Sequence, residues 1–141
     1  MSLIKKTKDK KVNFEFNKEY LRVVTSKIAD NDTKFINDSF NEMHPADAAD
    51  IIEHLSQNDR ESLIKLNNFN IDPEVFVELN ESIQTEIINY LSSDSIVSII
   101  KNLDSDDAIS ILENVREEDK NNILSSLPPK DRVAVVERLS Y

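Results

Sequence analysis

HPADAADIIEHL (residues 44–55) is the first of eight 12-residue units that run without a gap to Leu139. The others are SQNDRESLIKLN (56–67), NFNIDPEVFVEL (68–79), NESIQTEIINYL (80–91), SSDSIVSIIKNL (92–103), DSDDAISILENV (104–115), REEDKNNILSSL (116–127) and PPKDRVAVVERL (128–139). Positions 8 and 9 are apolar in every unit. Position 12 is Leu or Val in all but the second, where Asn67 takes it and Leu66 stands one place earlier. Position 5 adds Ala48, Ile96 and Ala108. Positions 5, 8, 9 and 12 have the i, i+3, i+4, i+7 spacing of one helix face. Each unit therefore holds a helix of about nine residues and a turn of about three.

A helix that short is marginal in water and survives by packing its apolar face on neighbours. Short turns set consecutive helices roughly antiparallel, so two units make a hairpin of about 24 residues. Stacked hairpins give an all-α architecture, a solenoid or α-superhelix built from 12-residue half-repeats. The turns carry helix-start chemistry: Pro45-Ala46-Asp47, Asn58-Asp59, Asp72-Pro73-Glu74, Ser92-Ser93-Asp94, Asp104-Ser105-Asp106-Asp107 and Pro128-Pro129. Asp and Ser accept from the orphan N–H groups of a first turn, and Pro is pre-set for the first helical position. The third and fourth units have Ile71 and Ile83 where five of the others have Asp, which predicts extra buried contacts there.

Residues 13–43 are off the period but helical in pattern. FNKEYLRVVTSKIA sets Phe16, Tyr20, Val23 or Val24 and Ile28 on one face, and TKFINDSFNEM brings Phe35, Ile36, Phe40 and Met43. These are expected to be two helices capping the open end of the repeat region, 44–141. Residues 1–12, rich in Lys, are expected to be a disordered basic tail.

Composition narrows the function. The net charge of −10 is uneven: residues 1–43 hold nine Lys/Arg against seven Asp/Glu, and residues 44–141 hold eight against twenty. A repeat region at −12 repels nucleic acid and anionic lipid and attracts cations and basic partners. Glycine is absent, which excludes Gly-rich phosphate loops and dinucleotide fingerprints. Cysteine is absent too, so there is no disulfide framework, thiolate metal site or thiol nucleophile. No apolar run approaches the roughly 18 residues of a membrane span, and MSLIKKTKDKK lacks the apolar core of a secretory signal. A cytoplasmic location is expected.

Few residues suggest chemistry. His44 and His54 are ten apart, without the i, i+4 spacing of a helical metal pair, and read as capping or surface residues. The acidic cluster Asp104, Asp106, Asp107 matches only the first two acidic positions of a calcium loop; Ala108, Ile109 and Val115 fail its remaining positions. Capping alone explains Asp104 or Asp106. Mg²⁺, by contrast, keeps most of its waters and uses only one or two carboxylates, so it leaves almost no sequence signature.

HPADAADIIEHL, the recurring D-x-[AVI]-x-x-[IL]-[ILV]-x-x-L units and the closing RVAVVERLSY resemble the N-terminal domain of the MgtE family of magnesium transporters, over roughly residues 17–141. The resemblance implies a cytosolic right-handed superhelix of short helices, followed by a pair of CBS domains, a connecting helix and a dimeric transmembrane pore. It implies that Mg²⁺, the cofactor expected here, bridges acids on this domain, the CBS domains and the connecting helix, and so holds the pore shut. By repeat register, family acidic positions fall at Glu74 and Asp106. A third falls at Ser110, a departure for which Asp107 or Asp104 would have to compensate. The chain is expected to stop where the CBS pair would begin and to insert nowhere in a membrane.

Two functions follow: a Mg²⁺-sensing regulatory domain of a magnesium transporter, or a protein-interaction solenoid related to the flagellar motor switch protein FliG. No residue pattern supports an enzyme.

Overall fold

The computed structural model describes residues 14–139; the basic tail expected over 1–12 lies outside them. Among the described residues the fold is all-helical. The helices are α1 (Phe14–Ala29), α2 (Thr33–Glu42), α3 (Pro45–His54), α4 (Gln57–Ile64), α5 (Pro73–Glu78), α6 (Glu81–Ile88), α7 (Ser93–Lys101), α8 (Ser105–Glu113), α9 (Glu117–Ser126) and α10 (Pro129–Leu139). Each of the eight 12-residue units contributes one helix, α3 to α10. The chain divides into two compact units, Met1–Asn80 and Glu81–Tyr141.

The period predicts the core position by position. Position 8 is buried in every repeat: Ile51, Leu63, Val75, Ile87, Ile99, Ile111, Ile123 and Val135. Position 9 is buried from Ile52 through Leu112, while Leu124 is half-buried. In the second repeat Leu66 is buried and Asn67 exposed, so the one-place shift read from the sequence is real.

In the first unit α1 packs against α2, α3 and α4, and α3 packs against α5. Tyr20, Val24 and Ile28 form the buried stripe of α1, with Val23 half-buried beside it. Ile36 on α2 and Met43 at its C-terminal cap are buried. Phe35 and Phe40 are only half-buried: Lys27 Nζ lies 5.1 Å from the ring centre of Phe35, and Phe40 meets Phe69 edge-on at 6.0 Å. In the second unit α7 packs against α8 and α9, and α8 against α10. Pairing of a helix with the one two repeats further on is the contact expected of stacked hairpins.

The turns follow the predicted capping chemistry, with the residues now resolved. Ser56, Asp72, Ser92 and Asp104 each accept from a first-turn N–H of the helix they open. At α3 the sequence relies on Pro45 instead, and His44 makes no side-chain cap. At the C-terminal ends, position 11 donates back to the position 7 carbonyl: Asn102 Nδ2 to Ser98 at 2.8 Å and Asn114 Nδ2 to Ser110 at 3.1 Å. These bonds satisfy carbonyls that a helix end leaves orphaned.

One junction departs from regularity. Between α4 and α5 the chain runs through an irregular segment with Asn68 at φ 67°, a left-handed conformation that Asn tolerates better than most residues. Phe69 and Ile71 turn inward there and are buried, as expected for Ile71. Ile83, expected to be buried likewise, is only half-buried in the first turn of α6. Helix α5 is correspondingly short at 6 residues, and its cap, Asp72, falls at position 5 of its repeat.

Arginine at position 5 is a device the apolar pattern did not suggest. Arg60 is 8% exposed, and its Nη1 donates to the carbonyls of Leu55 (2.6 Å), Glu53 (3.3 Å) and Ile52 (3.4 Å). It thereby closes the end of α3 from the helix that follows. Arg132 holds the same repeat position and donates through Nη2 to Leu127 at 3.2 Å.

Candidate functional site

The acidic cluster is built by the start of α8. Ala108, Ile111 and Leu112 are buried and fix which way the helix is turned. That leaves Asp104, Asp106, Asp107 and Ser110 exposed. Asp104 is the N-cap: its Oδ1 accepts from the Asp107 N–H at 3.0 Å, and its carbonyl accepts from the Ala108 N–H at 3.0 Å. Asp106 and Asp107 lie in the first turn, where carboxylates complement the positive end of the helix dipole.

Three carboxylates in four residues repel one another. Desolvation, and then the charges of Asp104 and Asp106, hold the Asp107 carboxyl above the ordinary aspartate range. A cation shared by this turn would relieve that repulsion. Ser110 lies one turn on from Asp106 along the same face, and its backbone carbonyl takes the Asn114 amide. The carboxylate that the resemblance places there is replaced by a hydroxyl.

Glu74 is in the first turn of α5, exposed, with its N–H held by Asp72 Oδ1 at 2.8 Å. It belongs to the first compact unit and the α8 aspartates to the second. Among the described residues no group of three or more His, Cys, Asp or Glu is arranged to hold a metal ion.

The histidines behave as read from the sequence. His44 is exposed at the start of α3, and the His54 ring Nδ1 lies 2.7 Å from the Asp50 carbonyl of its own helix. Of the groups that sequence reasoning missed, Arg60 had one signal: a charge at position 5, where three other repeats place Ala or Ile. The pairing of Arg116 with Asp119, at 3.0 Å across the first turn of α9, had none.

A family model described as the MgtE intracellular N domain matches residues 43–141. The chain belongs to this family. The matched stretch opens at Met43, one residue before the first 12-residue unit, and takes in all eight. Helices α1 and α2 precede it. No curated protein matches the chain. The MgtE N domain is a regulatory part of MgtE-type magnesium transporters rather than a catalytic family, and it belongs to a larger transporter with other domains. Among the described residues no helix is long and apolar enough to cross a membrane.

Proposed function

We propose that this chain is the Mg²⁺-sensing, gating domain of an MgtE-type transporter, working at the cytoplasmic face of the membrane. Mg²⁺ is held between the first turn of α8 and acids supplied by the CBS domains and connecting helix of a dimeric transporter, and its binding favours the closed pore. Asp106 and Asp107 are the carboxylates offered to the ion. Asp104 shapes the turn as its cap, and Glu74 offers a separate carboxylate from the first unit. The observation that carries this reading is the family match over the whole repeat region, 43–141. The charges of Asp104 and Asp106, which add to desolvation in raising the Asp107 carboxyl, support it, because acids that repel one another gain from a cation.

A half-site of one or two carboxylates binds weakly. Even at ten times Kd a bound ion stabilises the fold by only about 1.4 kcal/mol. The test is therefore titration of the chain joined to its downstream domains, followed by limited proteolysis against millimolar Mg²⁺, with Na⁺ at matched ionic strength as control. Protection by Mg²⁺ well beyond the Na⁺ control is expected, and Asp106→Asn should weaken it. Equal protection by both salts would reject sensing and leave an interaction solenoid of the FliG kind. An unchanged Asp106→Asn titration would remove Asp106 from the site.

A further inference from the structure

We draw no further inference here: the strongest candidate, the polar cavity of about 210 Å³ that Asn89, Ser93 and Asp119 line between the first turns of α7 and α9, carries nothing, because the Arg116 guanidinium at its edge is already paired with Asp119 and nothing in the structure shows what covers it.

Discussion

Removing the Arg60 guanidinium should weaken the first unit far more than a typical surface change. Its short bond to the Leu55 carbonyl, 2.6 Å, is charge-assisted, and such bonds contribute about 1.5–3 kcal/mol each. The two longer bonds, 3.3 and 3.4 Å, add less. Against this stands the desolvation of a guanidinium that is 8% exposed, which the fold has already met and which a neutral replacement would recover. Arg60→Met keeps most of the aliphatic stem and deletes the donors, so about 2 kcal/mol is expected from the lost bonds alone. Arg60→Ala adds a cavity and should cost about 3 kcal/mol or more. Arg132→Met is the internal comparison: its single bond of 3.2 Å comes from an exposed side chain and should be worth less than about 1 kcal/mol. Guanidinium denaturation followed by circular dichroism gives the totals, and amide hydrogen exchange shows whether protection is lost at the end of α3. If Arg60→Met unfolds within about 0.5 kcal/mol of the parent, the carbonyl bonds are not what closes this helix, and stem packing alone explains its burial.

Other consequences are open to measurement. Burial pushes the Tyr20 hydroxyl up to about 12, with the Ser39 hydroxyl opposing the rise and Glu42 adding to it. The folded state thus holds this proton more tightly than the unfolded chain. The stabilisation is whole below pH 10 and is lost as pH climbs from about 10 to about 12, by about 2–3 kcal/mol in all. Tyr20→Phe should flatten that decline, and denaturation curves for the two proteins that stay parallel across the range would refute it. Asp104→Ala should lower stability by about 1 kcal/mol through loss of the cap, whereas Ser110→Ala should stay within about 0.5 kcal/mol in thermal melts. Asp106→Asn should bring the Asp107 carboxyl part of the way back toward the ordinary range in an NMR titration; no movement would mean that desolvation and Asp104 raise it without Asp106. Ile123→Ala, at a fully buried position 8, should cost about 2–5 kcal/mol by chemical denaturation.

The 12-residue period discloses the spine because burial of Ile, Leu and Val dominates folding and recurs with the backbone geometry. Ile111 and Leu112 could be assigned to the core from their position alone, and so could Leu66 once the shift in its repeat was noticed. Arg60 could not. A charge at an apolar position is as consistent with a half-exposed helix edge as with a buried donor, and only the approach of the Leu55 carbonyl decides between them. The short α5 was hidden for a related reason, since Asn68 adopts a left-handed conformation that no apolar pattern encodes.

The candidate site poses a different problem, because a capping aspartate and a cation-binding aspartate are the same residue in the same place. Both tasks want a carboxylate in the first turn of a helix, one to accept N–H groups and the other to face a cation. At α8 the structure shows the first of these tasks. Asp104 spends Oδ1 on the Asp107 N–H, while Asp106 and Asp107 follow the cap as exposed acids of the first turn. Capping therefore accounts for Asp104, and the helix dipole favours Asp106 and Asp107 behind it. Against that gain stands the repulsion among the three acids, which adds to desolvation in raising Asp107. A cation shared with another domain would offset it, which is why the effect of Asp106→Asn on Mg²⁺ protection, and not its effect on stability, is the measurement that bears on function.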